Sequence, residues 1–264
     1  VYKRQLCEED IQVFLDRRKP GFSQFSTPRK ESDTIEILSG IFEGKTTGTP
    51  ISMMVRNTSQ RSGDYGDIAT YYRPGHADYT FDEKYGFRDY RGGGRSSGRE
   101  TTARVAAGAV AAKILKELDI EVHAYTKAIG PVSVPENEYH PEEIFQNPIY
   151  VPSDAYAQKA SAYLEECIKN QDSSGGIIEC VVTGMPVGIG DTVFEKLDAN
   201  LAKAMLSIGA VKGFEIGDGF KAADTKGSIN NDSFHTKDGR ITKDTNHAGG
   251  VLGGMSDGSK IIFR

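Results

Sequence analysis

No stretch of this 264-residue chain is both long and apolar enough to cross a membrane, and residues 1–5 (VYKRQ) do not resemble a secretory leader. Three cysteines, Cys7, Cys167 and Cys180, are odd in number and widely separated, and none forms a metal-type pair. That usage fits inert thiols in a reducing cytoplasm, the expected compartment. Positive charge is in deficit: the net charge of −5 argues against nucleic-acid binding, which calls for a basic face. Nowhere do His, Cys, Asp and Glu fall at metal-ligand spacing, so no metal is expected. An initiator Met is missing, residues 1–5 carry no pattern of their own and are set apart as a stretch that can be foreign, and the last residues open a strand and stop. The expectation is a fragment lacking both ends. Such a piece should be destabilised, and a cooperative thermal transition typical of an intact domain would count against that.

Two familiar phosphate signatures also fail. Ser39-Gly40-Ile41-Phe42-Glu43-Gly44-Lys45-Thr46 has a serine where a phosphate-binding loop needs its first glycine, and Thr47-Gly48-Thr49-Pro50 cannot start the required helix. A turn between strands is expected there. Gly184 to Gly190 (GMPVGIG) misses the dinucleotide spacing and reads as a loop.

What the chain has is an arginine excess against an acidic background. Residues 91–104 read RGGGRSSGRETTAR and lead into an alanine-rich helix. Flexible backbone, two hydroxyls and two guanidinium groups at a helix start suit an anion, because the first amides point outward unpaired and arginine adds bidentate recognition. A glycine turn with capping serines would explain Gly92 to Ser97 without a ligand, but not the bracketing Arg95 and Arg99. His76, between Arg73 and Asp78, is either a packed histidine or a catalytic one whose charge its neighbours set. His247, in a glycine-rich loop, could equally be a structural hydrogen-bond partner, and His123, His140 and His235 have no supporting context.

The length allows one large domain or two small ones. A helix opens on Glu8, Glu9 and Asp10, with Ile11, Phe14 and Leu15 as its apolar stripe, and strands are expected at residues 34–38 and 51–55. Residues 57–90 have no clear period and read as an ordered active-site loop. Helices are expected at 100–118 (small-sided all round and so buried), at 154–170 with Tyr156, Ala160, Tyr163, Leu164, Cys167 and Ile168 on one face, and at about 192–208. A strand follows Gly175-Gly176 at 177–182. Irregular alternation without long apolar strands favours α+β.

Several motifs in order resemble the chorismate synthase family. They are Asp16-Arg17-Arg18-Lys19-Pro20-Gly21, Leu38-Ser39-Gly40 through Gly48-Thr49-Pro50, Gln60-Arg61-Ser62 with Tyr65, Arg73 to Tyr79, Asp89 to Ala109, Val211 to Phe220, and Asn246 to Gly254. The resemblance runs over nearly everything from Leu6 onward. It implies an α+β β-α-β sandwich, with helices enclosed between antiparallel sheets, as a single domain spanning 1–264 that forms a homotetramer. It implies a carbon–oxygen lyase: 5-enolpyruvylshikimate 3-phosphate loses phosphate and a C6 proton in an anti-1,4-elimination to give chorismate. Reduced FMN is required without net redox change, and NADPH is a candidate reductant of that flavin. His76 corresponds to the family's proton donor to the flavin. Arg18, Arg73 and Arg99 correspond to arginines for the anionic substrate or the nucleotide-side pocket. Arg95, Ser96 and Ser97 correspond to a flavin segment, and Gly209, Ala210 and Gly253 to further flavin-lining positions.

The chain departs from the family at Gln24, where relatives carry arginine, and at Gly209, where asparagine is common. The family's Gly-Glu-Ser-His-Gly, Lys-Pro-Thr and Arg-x-Asp-Pro motifs do not occur in it. A binding fragment without turnover is therefore the rival reading, and a kinase-like protein is disfavoured by the failed phosphate loop.

Overall fold

A computed structural model describes residues 5–27, 29–58 and 66–264. Gln60, Arg61, Ser62 and Tyr65 of the resemblance, and residues 1–4 of the stretch set apart at the start, lie outside the described residues. The chain divides into two compact units, residues 1–111 and 112–264.

The first unit opens with α1 (Glu8–Arg18), which has acids in its first turn and Arg17 and Arg18 in its last, matched to the helix dipole. Asp10 closes the start by accepting from the Cys7 backbone amide at 3.0 Å. An antiparallel ribbon pairs β1 (Ile35–Ser39) with β4 (Ser52–Val55). Between them β2 (Ile41–Phe42) and β3 (Lys45–Thr46) form a small hairpin, so the false phosphate loop is a strand turn as expected. Ile11 and Leu15, both fully buried, seat α1 against Leu6, Ile35, Ala106 and Ala109, with Ile37, Ile51, Met53 and Val55 packed around them.

The described part of the stretch 57–90, residues 57–58 and 66–90, is less irregular than expected. It contains α2 (Asp78–Tyr85), which Gly86 ends in the left-handed conformation. Eight residues with aromatics on several sides give little apolar period, so the sequence hides the helix. The long helix α3 (Thr101–Lys116) is present, but its expected all-round burial is wrong. Only Thr102, Ala106 and Ala109 are buried, while Ala103, Ala107, Ala111 and Ile114 line an exposed face. Small side chains permit close packing but do not bring a partner to every face.

The second unit is built on a four-stranded antiparallel sheet in the order β12-β7-β5-β6, with β5 (Glu121–Ile129), β6 (Val132–Ser133), β7 (Gly176–Thr183) and β12 (Ile261–Phe263). Every pairing among the described residues is antiparallel, as α+β requires. Helix α4 (Asp154–Lys169) matches its expectation in extent but buries Ala157 and Ala160, leaving Ile168 exposed. Helix α5 is Leu197–Leu206, shorter than expected. Asp191 accepts from the Thr192 amide at 2.7 Å and Val193 turns left-handed (φ 59°), so a local turn displaces the first helical turn and Phe194 is exposed. The hairpin β8 (Phe234–Lys237) and β9 (Arg240–Lys243), and the short β10 (Val251–Leu252) and β11 (Met255–Ser256), complete the unit.

Its core gathers Ile120, Cys180, Val182, Val251, Ile261 and Phe263. Burial pushes the Cys180 thiol up to about 11, in keeping with an inert residue. Lys243 is buried between Asp232 (3.2 Å) and Asp257 (2.6 Å). Burial alone would raise the Asp232 carboxyl. Hydrogen bonds from Thr245, the Ala248 and His247 amides and Lys243 hold it well below the usual range instead. Among the described residues no helix is long and apolar enough to cross a membrane.

Leu15→Ala should destabilise the protein by about 2–5 kcal/mol, since the side chain is fully enclosed. Ile114→Ala on the exposed face should stay within about 0.5 kcal/mol. Urea denaturation of the two variants checks the contrast.

Candidate active site

Two buried carboxylates organise the polar residues of the first unit. The first is Asp33, just before β1, with its side chain fully buried. Its Oδ2 accepts from Arg18 Nη1 at 2.8 Å and its Oδ1 from Arg99 Nη2 at 2.8 Å. Arg18 also donates to the Thr102 hydroxyl at 2.6 Å, and Arg99 pairs through Nη1 with buried Glu31. The last turn of α1, the start of β1 and the approach to α3 therefore meet on one carboxylate. The expected pair Arg18 and Arg99 is brought together in this way. Nothing in the local sequence announces Asp33, because Glu31-Ser32-Asp33-Thr34 reads as an ordinary polar lead into a strand.

Arg18, Arg99 and Glu31 form one wall of a cavity of about 860 Å³, lined further by Arg29, Arg91, Asn57 and Ser97. Four arginines face three acids there, Glu31, Asp89 and Glu100. The floor is the glycine loop, where Gly93 (φ 81°) and Gly94 (φ 48°) take left-handed conformations that side-chain-bearing residues resist. Ser96 Oγ donates to the Gly93 carbonyl at 2.6 Å and Ser97 Oγ accepts from the Arg99 amide at 3.3 Å. Ser97 thus caps the short turn that follows, the plainer of the two readings the sequence allowed, while Ser96 ties back onto the glycine loop. Arg95 is exposed and lines a separate cavity of about 530 Å³ with Ile51, Met53 and Ala103.

The second carboxylate is Asp78, at the start of α2. Arg73-Pro74-Gly75-His76 is a type II turn: proline presets the second position, Gly75 supplies the positive φ (70°) at the third, and the His76 amide returns to the Arg73 carbonyl at 3.2 Å. The turn brings Arg73 and His76 onto Asp78, at 2.8 Å and 2.9 Å from Oδ1. Hydrogen bonding from Arg73 holds the Asp78 carboxyl well below the usual carboxylate range. Buried Arg88 binds Asp82 and the carbonyls of Ile68 (2.7 Å) and Tyr71 (2.9 Å), closing the turn from behind. A Cβ at Gly93 would lie 3.6 Å from His76 Cε1, so the histidine ring rests against the glycine loop. His76, Arg73, Ser96 and Ser97 thereby share one neighbourhood.

Gly209, Ala210 and Gly253 lie in the second unit. Ala210 and Gly253 have positive φ (69° and 61°), and Gly253 sits in the turn between β10 and β11. His247, left open by the sequence, pairs through Nδ1 with Asp218 Oδ2 at 2.6 Å. Among the described residues no cluster could hold a metal ion.

Asp33→Ala would leave two guanidinium groups without their buried acceptor. It should destabilise the protein by about 3–5 kcal/mol in urea titrations. Asp78 has a depressed folded-state pKa, so its stabilising contribution is present above the ordinary carboxylate value of 3.8 and is lost as pH falls below it. The urea midpoint should drop below about pH 4, and Asp78→Asn should flatten that part of the curve.

Comparisons with known proteins agree with this chemistry. A family model described as chorismate synthase matches residues 2–264. A chorismate synthase of Agathobacter rectalis is 66% identical over 260 residues, covering 98% of this chain and 71% of that protein. One from Lachnoclostridium phytofermentans is 64% identical over 260 residues, again covering 98% of this chain and 71% of the relative. A crystal structure of a chorismate synthase superposes with a TM-score of 0.82 at 32% identity, covering 98% of this chain and 76% of that one. The fold is therefore the α+β fold of that family. The family's reaction, a lyase step of the shikimate pathway toward aromatic amino acids, eliminates phosphate from 5-enolpyruvylshikimate 3-phosphate to give chorismate and depends on a flavin. A family model that spans both units, two relatives at nearly two-thirds identity and a shared fold lead to one conclusion: this chain belongs to the chorismate synthase family.

Proposed function

We propose that the arginine-lined cavity of the first unit receives the anionic groups of 5-enolpyruvylshikimate 3-phosphate and of reduced FMN, with His76 as the proton-handling residue beside them. The observation that carries this is the pair of guanidinium groups, Arg18 and Arg99, fixed on buried Asp33 at the cavity wall. A substrate with one phosphate and two carboxylates calls for such planar, multidentate donors.

The residues fit a phosphate-bearing cofactor as well. Gly92 and Gly98 line the cavity, and a Cβ at either would meet nothing within 4 Å, so each side chain would stand in space that the glycines leave to a ligand. Ser97 and the backbone of the short turn at 98–100 offer polar groups at the same place. Arg95, Ser96 and Ser97 would hold the flavin, while Arg18, Arg73 and Arg99 would hold the substrate; the family resemblance separately gives Gly209, Ala210 and Gly253 as flavin-lining positions. Bound reduced FMN would supply transient electron donation that eases departure of the phosphate, and the base that takes the C6 proton, with no net redox change.

The chain's own task is positional. Arginines orient the phosphate so that the C–O bond breaks on the face opposite the C6–H bond, and they accept the charge that develops on the leaving phosphate. His76 holds a proton at the glycine loop. The phosphate departs with the C–O electron pair, the C6 proton is lost, and the C6–H pair moves into the ring to give the second double bond of chorismate. NADPH as reductant of the flavin, a homotetrameric assembly, and residues 1–264 acting as one domain belong to the same reading. The match of one family model across residues 2–264 supports the last.

Chorismate formation should be followed anaerobically with chemically reduced FMN, beside equilibrium binding of FMN. Substrate should be converted, and His76→Ala should lower kcat by about 10²–10⁴-fold while FMN still binds. A folded chain that binds FMN but forms no chorismate would overturn the catalytic reading in favour of a binding role.

A further inference from the structure

We propose that the Arg73–Asp78 ion pair is the positioning device of His76. It holds the neutral ring with its proton on Nε2, the nitrogen on the far side of the ring from the pair. The inference rests on the reading of His76 as the proton-handling residue and adds which nitrogen faces the ligand and what keeps it there.

The argument begins with Arg73. Its Nε donates to Asp78 Oδ2 at 2.8 Å and its Nη2 to Oδ1 at 2.8 Å, while its backbone amide reaches Oδ2 at 3.0 Å. Three donors from one residue on one buried carboxylate fix the guanidinium plane. The same Nη2 carries a second hydrogen and lies 3.1 Å from His76 Nδ1 with hydrogen-bond geometry. Guanidinium is a donor only, so Nδ1 must present its lone pair and the neutral ring carries its proton on Nε2.

Asp78 Oδ1 lies 2.9 Å from the same Nδ1. When the ring takes a second proton, that N–H meets a donor at Nη2 and turns toward the carboxylate oxygen within reach. Nδ1 thus has a partner in either charge state: the arginine answers its lone pair and the aspartate its hydrogen. Nε2 keeps a hydrogen in both and has no hydrogen-bond partner among the described residues. The ring edge at Cε1 lies against Gly93, where a Cβ would come to 3.6 Å, and Arg88 Nε stands 4.0 Å behind Asp78 Oδ1. The ring is therefore bounded by the ion pair on one side and the glycine loop on another. Asp78 and Arg73 act through His76 and are positioning residues in this role.

The direct test is the tautomer. Long-range ¹H–¹⁵N correlation spectra of the ¹⁵N-labelled, cofactor-free chain, recorded where the ring is neutral, should show a protonated Nε2 and an unprotonated Nδ1 for His76. A neutral ring protonated at Nδ1 overturns the proposal, and this needs no variant to fold. Asp78→Asn, which keeps the shape and releases the guanidinium, should give a mixture of tautomers. In the assay with reduced FMN it should lower kcat on the order of 10- to 100-fold with KM for substrate nearly unchanged. An Asp78→Asn protein with the parent tautomer and full kcat also overturns the proposal. Full activity of His76→Ala, with the Nε2–H tautomer intact in the parent chain, would overturn only the catalytic reading of His76.

Discussion

The first unit depends on the burial of one charge. The Asp33 side chain is wholly removed from solvent, and an isolated carboxylate in that position would be untenable without partners. Arg18 and Arg99 supply them, one to each oxygen, and so the end of α1, the start of β1 and the approach to α3 must come together wherever Asp33 is buried. The hydrophobic contacts of Ile11, Leu15, Ile35, Ala106 and Ala109 stabilise the same arrangement without selecting it so sharply. The guanidinium groups are ordered before any anion arrives, which lowers the entropic penalty of binding one.

Charge surplus is not what makes this cavity suited to anions. Four arginines and three acids line it, and the chain as a whole is acidic. What favours an anion is orientation: donors held rigid by internal carboxylates, at the edge of a loop whose glycines let the backbone approach. Asp78 follows the same design on a smaller scale. Arg73 is fixed from one side by the carboxylate, and its remaining hydrogen is directed at His76.

The sequence shows local patterns well and distant pairings poorly. Arg73-Pro74-Gly75-His76-Ala77-Asp78 carries its turn type, its titratable ring and its carboxylate within six residues, and all of it can be read by eye. Helix α1 and the strand turn at residues 39–46 are equally legible, because caps, apolar spacing and failed motifs are local properties. Asp33 is not legible: its partners lie 15 and 66 residues away, and its own neighbourhood is unremarkably polar. Strand β5 has no counterpart among the expected elements, since its first four residues are exposed and mixed in character. The hairpin of β8 and β9 did carry a signal, Asp238-Gly239 with positive φ at both positions, which is the usual mark of a tight turn. The burial expected of α3 fails because composition shows how closely a helix can pack and not which neighbours it will have.

The two carboxylates differ in how far the chain must travel to satisfy them. Asp78 is served from two and five residues away. Asp33 waits for loops that close over dozens of residues, an entropic barrier that only the collapsed unit overcomes. The histidine's surroundings can therefore form in a short segment early, whereas the arginine wall exists only once the unit has folded. An anion that needs that wall binds the native chain and ignores the unfolded one. By mass action each such ligand becomes a stabiliser, adding about RT ln(1 + [L]/Kd) to the folding free energy. A substrate anchored on that wall would raise the folded fraction of the protein once its concentration exceeded Kd.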